Sequence, residues 1–280
     1  MQRIITAEQI INFRNYLIRE ERSENTVEKY THDVRAFYEW LDDREVSKEA
    51  VTEWKAELGR RDYGASTVNS YLASLHSFLA FMDWMDCKVK YLKIQRRVFR
   101  DVSRDLNKSE FERLVQAAND SGKYRLALLI ETICATGIRV SEVKYITLEA
   151  AKEGVAEISL KGKIRTILIP GKLAKKLVKY ARQQKIASGE IFITKSGKGM
   201  SRRQIWGEMK RLCKAAGVDA KKVFPHNLRH LFARTFYRVS RDIVRLADVL
   251  GHSSIETTRI YLISTGAEYA KELDRLGLVS

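Results

Sequence analysis

The sequence predicts a mainly α-helical fold, with a four-helix bundle followed by a mixed α+β domain that contains a small antiparallel sheet. In the first hundred residues, apolar side chains recur at steps of three and four, and no strand pattern interrupts them. Farther along, two short alternating stretches flank a Lys-Gly-Lys turn, which predicts a β-hairpin among helices. The expected boundaries are a helical domain at 1–87, a linker at 88–105 and a second domain at 106–280.

Caps and apolar spacing support each helix of the first domain. Thr6 and Gln9 form a capping-box pattern, and Ser47 suits the N-cap of the third helix. The four stretches are TAEQIINFRNYLIREE, SENTVEKYTHDVRAFYEWLDD, VSKEAVTEWKAEL and GASTVNSYLASLHSFLAFMDWM.

The stretch KVKYLKIQRRVFRDVSRD, residues 88–105, has no clean helical period and predicts an extended linker. It carries seven basic residues against two acidic ones. Either it is a solvated connector, or it crosses a phosphate backbone, and both interpretations stay open.

The second domain alternates helices with the hairpin. Asn107 and Glu110 form a capping-box pattern, and the apolar helix YRLALLIETICAT stops at Gly137. IRVSEVKYI predicts another helix, VAEISL and IRTILIP predict the two strands, and EIFIT is a candidate third strand. The remaining helical stretches are SRRQIWGEMKRLCKAAG, HNLRHLFARTFYRV, RDIVRLADVL and SIETTRIYL. The sequence has no Gly-rich phosphate loop, which argues against a nucleotide-driven enzyme.

Charge gives the first indication of function. The chain carries 51 basic and 35 acidic residues, a net charge of +16, and the excess lies in the second domain. Such an excess favours contact with polyanions such as nucleic acid, although a merely soluble basic protein has the same composition.

The rest of the composition suggests a cytoplasmic location. The three cysteines are far apart and form no CxxC pair, which predicts a reducing compartment and neither a disulfide scaffold nor a zinc site. The sequence shows no apolar run long enough to cross a membrane and no signal peptide at its start.

HNLRH places His226, Arg229 and His230 on one helix face. Two histidines four apart can bind a metal, but the sequence supplies no HExxH carboxylate and no evident third ligand. The favoured interpretation is a phosphate clamp, in which arginine offers a planar fork and histidine exchanges a proton.

Two further motifs carry basic side chains. In ATGIRVSE, Arg139 stands at a helix N-terminus that favours an anion, although a salt bridge with Glu142 is the common alternative. In SLKGKIRT, Lys161 and Lys163 flank the tip of the hairpin. They are either ordinary exposed turn lysines or a source of a proton for a leaving oxygen.

In VLGHSSIETTRIYL, His252 and Tyr261 complete the set. Taken alone, this stretch is an ordinary amphipathic helix in which Tyr261 belongs to the core. Taken with the other motifs, tyrosine is a nucleophile, histidine accepts its proton, lysine protonates the leaving alkoxide and the arginines neutralise phosphate charge. This set suits phosphodiester transesterification without a metal or cofactor.

ATGIRVSEV, HNLRHLFA and LGHSSIETTRIY, in this order, resemble the three signature boxes of the tyrosine recombinases, the Xer and phage-integrase group. The first-domain stretches SENTVEKYTHDVRAFYEWL and ASTVNSYLASLHSFLAFM are similar to the core-binding helices of that family. The resemblance therefore covers nearly the whole chain. It implies the tyrosine-recombinase fold, with a core-binding domain, a basic linker and a catalytic domain that grip a duplex as a C-shaped clamp.

The resemblance also implies roles for individual residues. Tyr261 would form a 3′-phosphotyrosyl bond and release a 5′-hydroxyl that attacks the partner strand, giving a Holliday junction. Arg139 and Arg229 would hold the phosphate, with Glu142 supporting the first arginine. The remaining roles would fall to His226 as base, His252 as a hydrogen-bond partner of the phosphate and Lys161 as general acid.

The partners that the resemblance implies are double-stranded DNA with paired core sites and a homotetramer on DNA, formed by exchange of the C-terminal helix. Accessory or directionality proteins are further candidates, and the expected location is the cytoplasm, at the nucleoid. In the C-terminal segment STGAEYAKELDRLGLVS, a narrow apolar stripe suits docking on a neighbouring subunit or packing on its own domain. The stripe consists of Ala267, Ala270, Leu273 and Leu276.

One departure concerns the hairpin, which reads LKGKIR where the family has a pattern close to Gly-Lys-Gly-x-Lys-x-Arg. It is one residue shorter. Alignment from the strand before the turn favours Lys161 as the acid, whereas alignment from the strand after it favours Lys163; Lys161 is preferred and Lys163 stays open. Two alternative functions also remain: a type IB topoisomerase-like strand transferase without strand exchange, and a DNA-binding protein that has lost catalysis.

Overall fold

The computed structural model describes residues 3–94, 102–160, 163–261 and 273–276. The chain divides into two compact units, Met1–Arg97 and Val98–Ser280. The prediction of a mainly helical fold with a small antiparallel sheet is confirmed.

The first unit contains the four expected helices, α1 (Ala7–Arg19), α2 (Glu24–Leu41), α3 (Lys48–Arg60) and α4 (Ala65–Phe81), then a 3₁₀ turn at Met85–Cys87. The Thr6–Gln9 capping box and the Ser47 N-cap both form, because each side chain accepts a hydrogen bond from the backbone N–H three residues later. The helices meet on an aromatic core of Phe13, Phe37, Trp54 and Phe78.

The first part of the predicted linker packs on this unit. Leu92 exchanges two backbone hydrogen bonds with the Asn69 amide, at 2.8 and 2.9 Å, and the Val89 N–H donates to His76 Nε2 at 3.3 Å. Residues 95–101 lie outside the described part of the chain.

The second unit begins with a 3₁₀ turn at Val102–Arg104. The elements that follow are α5 (Lys108–Asp120), α6 (Tyr124–Thr136), a 3₁₀ helix (Val140–Tyr145), α7 (Leu148–Glu153), β1 (Val155–Leu160), β2 (Lys163–Leu168) and α8 (Gly171–Gln183). The last part contains α9 (Arg202–Lys210), α10 (Cys213–Ala216), a 3₁₀ turn (Ala220–Lys222), α11 (Pro225–Ser240), α12 (Ile243–Leu250) and α13 (Ile255–Arg259).

Strands β1 and β2 pair antiparallel, from Val155 opposite Leu168 to Leu160 opposite Lys163. The candidate third strand EIFIT does not join this sheet. Its residues form only isolated bridges, Glu190 with Thr147 and Ile193 with Gly199. A short segment with buried Ile191 and Phe192 at its centre therefore forms bridges, and its periodicity alone could not distinguish it from a strand.

The helix predicted at IRVSEVKYI is a 3₁₀ helix. Gly137 ends α6 in the left-handed conformation, and Thr147 caps α7. The 3₁₀ helix fills the short segment between these two residues. Gly137 is required twice: its φ is +64°, and a Cβ at this position would overlap the ring of Phe232.

The core of the second unit forms around α6, whose residues Leu129, Ile130 and Ile133 are fully buried, and α11 packs against this helix. The packing brings the C-terminal end of α6 next to the middle of α11. Within the described ranges, no helix is long and apolar enough to cross a membrane.

The cap of α5 provides a test of this local structure. Asn107 Oδ1 accepts from the Glu110 N–H at 2.8 Å, and Glu110 Oε2 accepts from the Asn107 N–H at 2.9 Å. Replacing Asn107 with alanine removes the first bond, so we expect the free energy of unfolding of the second unit to fall by about 1 kcal/mol. Asn107→Asp keeps an acceptor and serves as the control in urea titrations. Equal stability of the Ala and Asp variants would contradict the role of the cap.

Candidate active site

Three segments supply the site. Arg139 follows the end of α6, α11 carries His226, Arg229 and His230, and the α12–α13 region carries His252 and Tyr261. These segments meet because α11 packs against both α6 and α12. The structure thus brings together side chains that lie up to 122 positions apart in the sequence, between Arg139 and Tyr261.

Arg229 is the buried centre of this group, with only 2% of its surface exposed. Its guanidinium donates to the backbone oxygens of Gly137 and Leu250, the latter at 2.8 Å. Burial lowers its pKa to about 10, and the nearby charges of Arg139 and Arg165 act in the same direction, while a hydrogen bond with the Tyr261 side chain opposes them. The positive charge of the Arg229 guanidinium is therefore destabilised in this site, and a bound anion would stabilise it.

His252 is oriented by two hydrogen bonds. Its Nε2 lies 2.8 Å from Arg229 Nη2, and its Nδ1 lies 2.8 Å from Thr258 Oγ1. Arginine has only donors, so Nε2 accepts and Nδ1 carries the proton that it donates to Thr258. Burial, followed by the charges of Arg229 and Arg139, lowers the pKa of His252 to about 4. The imidazole is consequently neutral at pH 7.

Tyr261 packs among three histidines. Its ring is stacked on His252, with 5.8 Å between centroids and 12° between planes, and meets His230 edge-on at 4.6 Å. The His226 ring is 5.8 Å away. Tyr261 is 3% exposed and also contacts the apolar side chains of α12. The tyrosine is thus part of the core and a neighbour of Arg229.

His226 and His230, which the sequence also allowed as a metal pair, stand 6.1 Å apart between ring centroids at 79°. Both rings face Tyr261.

Arg139 forms the salt bridge with Glu142 that its motif allowed. Its Nη1 donates to Glu142 Oε1 at 2.8 Å, and its backbone N–H donates to Glu142 Oε2 at 2.8 Å. The Arg139 side chain is still 43% exposed, so one side of the guanidinium remains open to a ligand. Burial opposes the charge of Glu142, but the Arg139 hydrogen bonds and the charge of Arg165 outweigh it and lower the pKa of the carboxyl.

Arg165, the last residue of the hairpin motif LKGKIR, belongs to the same network, although the motif predicted no role for it. From β2 it donates to Glu142 Oε2 at 2.6 Å and to the Val249 oxygen at 2.9 Å, with 11% of its side chain exposed. The alternation of β2 held a signal, because Arg165 shares a strand face with the buried Ile167. A charged residue on the buried face of a strand requires a buried partner.

Lys161 lies outside the described residues, and Lys163 begins β2, where its backbone pairs with Leu160. In the C-terminal segment, Ala267 and Ala270 also lie outside the described residues, whereas Leu273 and Leu276 are exposed.

A cavity of about 700 Å³ opens beside these groups. Its walls include Arg139, His226, Arg229 and Tyr261, and α9 adds Arg202, Arg203 and Trp206. The sequence predicts α9 as a helix and indicates no role for it in the site. The described lining contains four arginines and no carboxylate, so the cavity suits an anion held next to the tyrosine.

Comparison with known proteins extends this description. The pattern of the phage integrase family matches residues 104–268, and the pattern of its N-terminal SAM-like domain matches residues 10–85. The tyrosine recombinase XerA of Thermococcus kodakarensis is 28% identical over 279 residues, which cover 97% of this chain and 96% of the relative. XerD of Vibrio cholerae is 25% identical over 258 residues, 85% of each chain.

Solved structures share the fold at low sequence identity. The Tn1549 transposon integrase in complex with transposon right-end DNA has a TM-score of 0.73 at 17% identity and covers 96% of this chain and 99% of its own. The XerH recombinase bound to its difH substrate has a TM-score of 0.70 at 19% identity and covers 95% and 84%. Because the phage integrase pattern spans more than half of the residues and the fold agrees, the chain belongs to the phage integrase family of tyrosine recombinases.

Proposed function

We propose that the protein is a site-specific DNA recombinase that cleaves and rejoins strands through a 3′-phosphotyrosyl intermediate. The observation that carries the proposal is the packing of Tyr261 against His226, His230 and His252, at the wall of a cavity that Arg139 and Arg229 also line. A tyrosine that served only the core would need neither a buried guanidinium nor a cavity rich in arginine beside it.

The first step is attack of the Tyr261 oxygen on the scissile phosphorus. Arg139 and Arg229 neutralise the non-bridging oxygens, where charge builds as the fifth bond forms. His226 accepts the tyrosyl proton, the bond from phosphorus to the 5′ oxygen breaks, and Lys161 protonates the leaving oxygen. The phosphotyrosyl ester conserves the bond energy, so rejoining requires no nucleotide.

The second step reverses the first with a different nucleophile. The 5′-hydroxyl of the partner strand attacks the phosphotyrosyl ester, releases Tyr261 and yields a Holliday junction, which a second round resolves. Integration, excision and dimer resolution all use this chemistry.

His252 has a defined position in this scheme. Its Nε2 accepts from Arg229, so in this structure the neutral imidazole orients the buried guanidinium. As Arg229 turns its donors to a phosphate oxygen, Nε2 of His252 is released. In the tautomer that carries its proton on Nε2, Nδ1 accepts from the Thr258 hydroxyl and Nε2 donates to that phosphate. This motion combines the role that the resemblance implies for His252 with the contact in the structure.

The proposed partners are duplex DNA with paired core sites and three further copies of the chain, joined through the segment after Tyr261. Accessory proteins would set the direction of recombination, and the proposed location is the cytoplasm, at the nucleoid. The charge supports DNA as partner, because a net charge of +16 accumulates polyanions and makes their binding depend on salt.

Replacing Tyr261 with phenylalanine removes the nucleophile and keeps the ring. We expect no covalent protein–DNA adduct on a suicide substrate, whereas DNA binding measured by fluorescence anisotropy stays within a few-fold of wild type. Tyr237→Phe is the matched control, because Tyr237 contacts the same apolar cluster, and this variant should form the adduct.

An adduct with Tyr261→Phe would contradict the assignment of the nucleophile. Supercoil relaxation by the wild-type protein without recombinant product would favour the topoisomerase-like alternative. Binding by the wild-type protein with no adduct would favour the silent DNA-binding protein.

The general acid is identified by comparing Lys161→Ala with Lys163→Ala. Removal of the acid should slow cleavage of an ordinary phosphodiester by about 10²–10⁴-fold. A 5′-bridging sulfur leaves without protonation, so a substrate that contains it should restore the rate of the variant lacking the acid. We expect this restoration for Lys161→Ala. Restoration for Lys163→Ala alone would transfer the role, and restoration for neither would exclude both.

The ionisation of His252 predicts a pH effect on stability. Its pKa falls from 6.5 to about 4 on folding, so its stabilising contribution is complete above pH 6.5 and is lost as the pH falls toward 4. His252→Gln cannot take up this proton and can still accept from Arg229 and donate to Thr258. We therefore expect its melting temperature to fall less than that of wild type between pH 7 and pH 4.5. Parallel decreases in calorimetry would show that His252 does not titrate in this range.

A further inference from the structure

We propose that Arg165 is a positioning residue for the strand-transfer reaction, which holds Arg139 and the His252 loop in place without touching the DNA. The proposal rests on the proposed function, because positioning has a kinetic meaning only if Arg139 and His252 act on a phosphate. It adds an eighth functional side chain to the six catalytic candidates and Glu142.

The contacts of Arg165 join three parts of the second unit. Its backbone belongs to β2, its Nη1 donates to Glu142 at 2.6 Å, and its Nη2 donates to the Val249 oxygen at 2.9 Å. Glu142 in turn holds Arg139 through two hydrogen bonds. Val249 stands in the last turn of α12, three residues before His252. One guanidinium thus links the hairpin strand to both phosphate-binding segments.

Glu142 depends on this arrangement, because its carboxylate is 2% exposed and receives donors only from Arg139 and Arg165 among the described residues. Without Arg165, Arg139 would be the sole cation balancing a buried negative charge. The Arg139 side chain would then be drawn toward the carboxylate and away from its open side.

Packing indicates a second effect of Arg165, on the loop that carries His252. Gly251 has a φ of +62°, and a Cβ at this position would overlap the Arg165 side chain at Cδ and Nε. The glycine of the Gly-His motif is therefore explained by Arg165, whose side chain occupies the space beneath it. Arg165 positions the backbone of this loop relative to β2 in two ways, by steric contact at Gly251 and by the hydrogen bond to the Val249 oxygen. The position of the His252 ring depends on that backbone.

A buried arginine can also be a purely structural ion pair, and the same unit contains one for comparison. Arg234 donates to Asp105 at 2.9 Å and to the Leu106 oxygen at 2.8 Å. The Nε of both Arg165 and Arg234 is buried without a hydrogen-bond partner in the described part of the chain. The two residues are similar in burial and bonding, but Arg234 bonds to Asp105 and Leu106 at the entry of the chain into the unit, whereas Arg165 bonds to Glu142 and Val249.

The test compares Arg165→Met with Arg234→Met on two suicide substrates. One substrate has an ordinary scissile phosphodiester, and the other has a methylphosphonate, in which a methyl group replaces one charged oxygen. The neutral methylphosphonate demands less neutralisation from Arg139. Arg165→Met should slow adduct formation by roughly 100-fold on the phosphodiester, a loss expected from a small misplacement of a reacting group. On the methylphosphonate, the ratio of wild-type to variant rate should fall at least about tenfold.

Arg234→Met should show no such dependence on the substrate, although it should lower the melting temperature to a similar degree. If Arg165→Met loses the same factor on both substrates, as Arg234→Met does, Arg165 is a structural ion pair and the proposal is wrong. Absence of an adduct with the wild-type protein would instead refute the proposed function.

Arg165→Lys keeps the test informative if the methionine variant does not fold. Lysine retains the charge but is too short to bond Glu142 and the Val249 oxygen in the same fork. We expect a smaller loss with the same dependence on the substrate, and equal loss on both substrates would again overturn the proposal.

Discussion

The site depends on one buried carboxylate. Glu142 is the single acidic group among the described side chains that bond to Arg139 or Arg165, and it sets the positions of both. Burial of such a charge is unfavourable unless all of its oxygens receive donors, and here three N–H groups do so. Glu142 thereby links the short 3₁₀ helix to β2, and Arg165 extends the link to the end of α12.

One carboxylate does not neutralise the surrounding cations. Arg229 is buried with backbone oxygens and a neutral histidine as its partners, and its pKa falls to about 10. The pKa of His252 falls to about 4 for the same reasons, burial and the nearby guanidinium groups. An anion that enters the cavity relieves this repulsion, and the relief grows as negative charge accumulates on the anion. A site of this kind stabilises a transition state that is more highly charged than its ground state.

Local signals in the sequence were sufficient for much of this arrangement. The capping boxes at Thr6 and Asn107 and the cap at Ser47 depend on residues three apart, and all three form. The site residues stand in motifs that resemble those of a known family. Packing of α11 against α6 and α12 brings these motifs together.

Features that depend on distant neighbours were harder to predict. EIFIT has the composition of a strand, but its backbone forms isolated bridges with Thr147 and Gly199 and does not pair with β1 or β2. Arg165 gave a weak signal, because a charge on the buried face of β2 has meaning only when Glu142, 23 positions away, is known to stand opposite. Both cases concern tertiary contacts that override a local pattern.

Under the proposed function, Tyr261 would be both a buried core side chain and the nucleophile. Its ring is held by apolar groups of α12 and by the rings of His230 and His252, which leaves the side chain few accessible rotamers. A nucleophile held in this way loses little conformational entropy on the path to attack. The same packing leaves Tyr261 3% exposed at the wall of the cavity, so under the proposed function the core contacts of this tyrosine would also hold it in place for attack on a phosphate beside Arg229.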